Sequence, residues 1–135
     1  MRTHRRGNIP YLLLALALLV DAYQAAAADH AVILEYHNVS TETPPSTSVT
    51  PETFDRHLAY LEKHGFTVWP VQRILRHLEQ GKALPADTVA LTFDDAYESV
   101  YTEVYPRLKR RGWPFTVFVS TDYIDKGYGG YMTWD

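Results

Sequence analysis

The stretch that most constrains the fold is Thr88-Val89-Ala90-Leu91-Thr92-Phe93-Asp94-Asp95. Val89, Leu91 and Phe93 alternate with Ala90, Thr92 and Asp94, the period of two expected of a strand with two unlike faces. The large apolar face is expected to pack outward against helices. The small face is expected to look into a tight interior, with Asp94 at its end. Two carboxylates closing an apolar run are costly unless a cation or hydrogen bonds compensate them. Two readings follow. Asp94-Asp95 ends the strand and caps the next helix, for which Asp is well suited, or the pair belongs to a metal or acid–base site.

The flanking sequence alternates strands and helices. Ala31 to Tyr36 reads as a buried strand with His37 and Asn38 at its C-terminal end. Ser40 to Thr50, with Pro44-Pro45, reads as a loop. Thr50-Pro51-Glu52 is a helix start, with Thr50 as N-cap, Pro51 at the first helical position and an acid in the first turn. Phe54, Leu58 and Leu61 share one face of that helix, and Gly65 ends it. Phe66 to Trp69 is expected as a second strand, and Val71, Ile74, Leu75 and Leu78 as a second amphipathic helix closed by Gly81. Glu98 to Arg111 is expected as a third helix, bent or broken near Pro106 and ended by Gly112. Phe115 to Ser120 reads as a strand, Asp122 to Gly130 as a Gly- and Tyr-rich loop, and Thr133-Trp134-Asp135 as the cap of a further helix. Such alternation implies parallel strands joined by helical crossovers. Function then gathers beyond the C-terminal ends of the strands, which puts His37 and Asp94-Asp95 on one rim.

Composition bounds the partners. The chain has 135 residues, enough for one small domain, and a formal charge of −3. Arg2, Arg5 and Arg6 precede an apolar run from Tyr11 to Val20 and small residues at Ala26-Ala27-Ala28. This is the three-part layout of a secretory signal peptide, with cleavage expected after residue 28 and the mature domain at 29–135, secreted or periplasmic. The apolar run is short for a bilayer span, so no stable membrane anchor is expected after cleavage. Without its signal the chain becomes more acidic, since three of the four charges lost are arginines. Nucleic acid is therefore not an expected partner. There are no cysteines, which excludes disulfides and thiolate ligands.

Thr92-Phe93-Asp94-Asp95, together with Leu34-Glu35-Tyr36-His37-Asn38-Val39 upstream and Trp113-Pro114-Phe115-Thr116-Val117-Phe118-Val119 downstream, resembles the motifs of the polysaccharide deacetylases, carbohydrate esterase family four, in the family's order. The resemblance covers roughly residues 31 to 135. It implies an α/β fold, the N-terminal half of an irregular (β/α) barrel, because four strands cannot close one. It implies a metal-dependent hydrolase that removes N-acetyl groups from an N-acetylglucosamine polysaccharide: an exopolysaccharide, chitin oligomers or peptidoglycan. By the same resemblance Asp94 is the general base and Asp95 a ligand of a divalent metal, zinc first, with nickel, cobalt or iron as alternatives. In the circularly permuted branch typified by poly-N-acetylglucosamine deacetylases the general acid comes from the first strand, which makes it His37. The family's His-x-x-x-His metal pair is absent from this sequence, so this half by itself is expected to be inactive.

The other histidines outside the leader, apart from His30, which carries no assignment, are His57, His64 and His77, read as solvated helix residues. Tyr128, Tyr131 and Trp134 suit stacking on sugar rings or packing over the barrel edge, with neither reading preferred. Glu35 shares a face with Ile33 and His37 and is expected to point inward, to the site or to a satisfied core position. Two rival functions fit parts of the pattern. One is a non-catalytic carbohydrate-binding relative. The other is a different metal-dependent hydrolase using the same carboxylates. A two-carboxylate glycosidase fits less well, since its acid and base or nucleophile must flank a bond several Å apart.

Overall fold

The computed structural model describes residues 27–135, so all of the basic and apolar leader before Ala27 lies outside the described residues. Ala27–Ala28 form β1, antiparallel to β6 (Leu84–Pro85). The centre is β7 (Thr88–Asp94), whose residues are buried from Thr88 to Phe93. Along one edge it pairs in parallel with β2 (Val32–Tyr36), from Val32 opposite Val89 to Tyr36 opposite Phe93. The other edge is shared. There β5 (Thr67–Val68) lies beside the first residues of β7, and β8 (Thr116–Phe118) beside the last, both in parallel. A short parallel pair, β3 (Asn38–Val39) with β4 (Ser48–Val49), pins the loop after β2.

The two faces of β7 pack as the alternation demands. Val89, Leu91 and Phe93 join a core with Phe54, Leu58 and Leu61 of α1 (Pro51–Lys63) and with Val100, Val104 and Leu108. Phe93 lies 5.4 Å from the stacked ring of Tyr36 and meets Phe54 and Phe115 edge-on. Burying such a ring contributes roughly 1.5–3 kcal/mol. On the opposite face Ala90 packs with Ile74 of α2 (Val71–Glu79) and with Leu84. On that face Ala90 and Thr92 of β7 are buried, whereas Ile33 and Glu35 of β2 are exposed and Asp94 at the strand end is half-buried.

Local signals set the helix ends. Thr50 Oγ1 accepts from the Thr53 N–H at 3.2 Å, and Pro51 occupies the first turn, where a missing N–H costs nothing. The expected helical stretch from Glu98 to Arg111 forms, with an irregular middle: Glu98 and Ser99 start it, Val100–Val104 is a π-helical turn, and Tyr105–Arg111 (α3) is α-helical. Pro106 has no N–H to donate four residues back, so the turn before it widens and the Tyr105 N–H reaches Val100 O instead. Arg107 ties this helix to α1, donating to Asp55 at 3.1 Å and to Glu103 at 2.7 Å. One expectation is corrected. Part of the segment read as a loop is helical, α4 (Thr121–Asp125), supported by an Asp122–Lys126 pair one turn apart at 2.9 Å. Among the described residues no helix is long and apolar enough to cross a membrane.

Candidate active site

Paired residues of parallel strands point their side chains to the same face, so register decides who meets whom. Glu35 is opposite Thr92, and Ile33 opposite Ala90. The open face therefore carries Ile33, Glu35 and then His37 from β2 and its exit, beside Ala90, Thr92 and Asp94 from β7. Ligand atoms of Glu35, His37 and Asp94 all lie within 4.8 Å of one another. On the other side Asp94 is paired with Phe118 of β8, which is 53% exposed on the same face. A carboxylate thus sits between an imidazole-carboxylate pair and an apolar wall, at the C-terminal rim. Sequence reading left Glu35 undecided and did not single out Phe118. The period of two was the signal for Glu35, whereas nothing local pairs Phe118 with Asp94.

Asp95 goes elsewhere. Asp95 and Ala96 both adopt left-handed backbone, with φ of 65° and 57°. Non-glycine residues pay for this region, so two in a row need support from their surroundings. The support is visible. Ser120 Oγ donates to Asp95 Oδ1 at 2.6 Å, Met132 N–H to Ala96 O at 2.9 Å, and Glu98 N–H to Gly130 O at 2.9 Å. This is the sharp turn that adjacent carboxylates need if both are to serve one rim. Asp95 is nevertheless not a member of the Glu35–His37–Asp94 group. Among the described residues that group is the one set of three or more such side chains close enough to hold an ion. Two carboxylates and one imidazole form a donor set suited to a divalent cation. Catalytic zinc normally takes three protein ligands, the number this group offers, with one imidazole among them.

The aromatic residues divide. Tyr131 bridges to Tyr97 and lies between the rings of Tyr97, at 4.7 Å, and Tyr123, at 4.8 Å, so its faces are engaged within the protein. Tyr128 is exposed beside Tyr123, and Trp134 is 63% exposed with its indole N–H donated to Asp125 at 2.9 Å. These two keep ring surface free for a sugar, and Tyr131 does not. His57 differs from the solvated residue expected, because its Nδ1 lies 3.1 Å from the Tyr36 hydroxyl. Burial pushes the Tyr36 phenol up to about 12. His64 is exposed against Tyr60, and His77 is half-buried edge-on to Trp69. Neither is near the rim group.

With this geometry in view, comparisons with known proteins are specific. Residues 81–134 match the family described as Polysaccharide deacetylase. Over 85 residues the chain is 35% identical to the poly-beta-1,6-N-acetyl-D-glucosamine N-deacetylase of Escherichia coli (strain K12), covering 62% of this chain and 13% of that one. It is 27% identical over 108 residues to the Staphylococcus epidermidis protein of the same description, covering 70% of this chain and 37% of that one. The solved structure of IcaB from Ammonifex degensii superimposes with a TM-score of 0.68 at 30% identity, over 79% of this chain and 46% of that one. The Streptococcus pyogenes deacetylase PplD in complex with acetate gives a TM-score of 0.68 at 26% identity, over 80% and 50%. The chain therefore spans at most about half the length of these relatives, and its mixed α/β sheet corresponds to about half of their (β/α) barrel. In sequence over residues 81–134, and in fold over most of its described length, the chain is similar to the polysaccharide deacetylases.

Proposed function

We propose that the whole protein hydrolyses N-acetyl groups on an N-acetylglucosamine polysaccharide, outside the cytoplasm, with this chain supplying the base and the acid. The observation that carries the reading is the convergence of His37 and Asp94, from two different strands, on one open rim. Asp94 takes a proton from water as that water attacks the acetyl carbonyl carbon. The C–N bond breaks, and His37 protonates the departing nitrogen, leaving acetate and a free amine. Removal of this acid–base assistance typically costs about 10²–10⁴-fold in rate.

We assign Asp95 to hold a divalent cation, zinc first and nickel, cobalt or iron otherwise. When bound, such a cation polarises the carbonyl and acidifies water. The turn that presents Asp95 is braced by Ser120, so the carboxylate is positioned in advance. Tyr128 and Trp134 remain the candidates for contacts with sugar rings. The basic and apolar leader supports export by a cleaved signal, and the acidic balance supports a polysaccharide rather than a nucleic-acid partner. Acetate release from N-acetylglucosamine oligomers, with and without added Zn²⁺, tests the reading. The whole protein should release acetate, and residues 29–135 by themselves should not. No acetate from the whole protein on any N-acetylated glycan would sink the proposal.

A further inference from the structure

Ser120 follows the end of β8, just past Phe118, which the sheet pairs with Asp94. It also stands at the N-cap of α4, where a serine hydroxyl ordinarily accepts an N–H from the first turn. Here the hydroxyl makes no such cap. The backbone closes the turn instead, with the Tyr123 N–H donating to Ser120 O at 3.1 Å. The Ser120 hydroxyl reaches across to the exit of β7 and donates to Asp95 Oδ1 at 2.6 Å. That is the length of a hydrogen bond strengthened by the charge of its acceptor. The two residues are 25 apart in sequence, and the parallel pairing of β8 with β7 brings them together.

Three further features centre on the same carboxylate. Asp95 is half-buried, and among the described residues it enters no ion pair, so a hydroxyl and not a cation of the protein meets its charge. Its backbone and that of Ala96 are left-handed, a conformation that persists where the surroundings over-determine it. The segment that brings Ser120 is fastened to this turn at its far end as well. There the Met132 N–H donates to Ala96 O, and the Glu98 N–H to Gly130 O, each at 2.9 Å. A serine that forgoes its own helix cap to hold a carboxylate serves that carboxylate before it serves the helix.

We propose that Ser120 is a positioning residue for the divalent cation assigned to Asp95: its hydroxyl holds Oδ1, fixes the plane of the carboxylate and leaves Oδ2 to the cation. The inference rests on the deacetylase reading, which assigns Asp95, and it names the residue that sets how tightly the cation is held. A carboxylate already fixed loses less freedom when it takes a ligand. Partners of this kind orient a metal ligand without touching the metal. Ser120 therefore acts through Asp95 and not on the substrate.

The test is Zn²⁺ binding to the whole protein, measured by competition with a chromophoric chelator, beside acetate release at limiting and saturating Zn²⁺. Ser120→Ala should weaken Zn²⁺ binding by about 10–100-fold. Its turnover should fall at limiting Zn²⁺ and return to that of the parent at saturating Zn²⁺. Ser120→Thr keeps the hydroxyl and should restore the affinity. Unchanged affinity in Ser120→Ala, turnover that stays low at saturating Zn²⁺, or no rescue by Ser120→Thr would overturn the proposal. Asp95→Asn separates the two readings. Full Zn²⁺ affinity in Asp95→Asn removes the assignment of Asp95 and the role of Ser120 with it. Loss of Zn²⁺ in Asp95→Asn but not in Ser120→Ala removes Ser120 alone. Loss in both variants, with no acetate from the parent protein, removes the deacetylase and leaves the positioning role standing.

Discussion

β7 and β2 run side by side, in parallel, and each delivers one of the two proposed catalytic groups to the same rim, yet they are held very differently. β7 has neighbours on both edges and apolar side chains packed on both faces. Among the described residues β2 has one ladder partner, β7, and its Ile33 is 54% exposed. Asp94 is thus a fixed point of the structure, positioned by an entire sheet. His37 is positioned from one side, by β7 and by the β3–β4 pair that follows it. The proposed base is set by the core, and the proposed acid by an edge.

The comparison is tested hardest by the two reactive groups. Asp94→Asn should reduce turnover of the whole protein by about 10²–10⁴-fold on both an N-acetyl sugar and an activated ester, because both need a base. His37→Ala should cost as much on the amide but far less on the ester, whose leaving group needs no proton. Metal content, read beside the rates, should survive both changes and fall in Asp95→Asn. Equal losses for His37→Ala on the two substrates would remove the acid assignment.

The next contrast concerns stability. Phe93→Ala on β7 should cost about 3–5 kcal/mol, since a fully buried ring in contact with Tyr36, Phe54 and Phe115 is lost. Ile33→Ala on β2 should cost less than about 0.5 kcal/mol in the same chain. Urea unfolding of both variants checks the difference, and similar losses would erase the distinction between core and edge.

A smaller effect appears in alkali. Burial pushes the Tyr36 phenol from 10.0 up to about 12, so the folded state holds its proton more tightly than the unfolded state. The associated stability is fully present below pH 10 and is lost as pH rises from there through about 12. Tyr36→Phe should flatten that part of the pH–stability curve, and an unchanged slope would contradict the assignment. Smallest is the cap of α1. Thr50→Ala should cost about 1 kcal/mol through loss of the Thr53 N–H acceptor, measured by thermal unfolding.

Much of this was legible in the sequence because it is written in short-range interactions. The alternation of Val89, Leu91 and Phe93 with small residues specifies a strand and its two faces. Thr50-Pro51 specifies a helix start, and the glycines at 65, 81 and 112 supply the left-handed turns that follow three of the helices. The order of the strand-end residues was enough to suggest the family. Each of these depends on residues within a turn or two of one another.

What the tertiary structure alone decided depends on residues far apart in sequence. The register of β2 on β7, set by packing of α1 and α2, turns Glu35 and His37 to the face of Asp94. The pairing of β8 with β7 brings Phe118 to that carboxylate and Ser120 to the next. Asp95 and Ala96 look like ordinary helix-entry residues in sequence. Hydrogen bonds from Ser120 and Met132 support their left-handed backbone, which Ala disfavours and Asp adopts only occasionally.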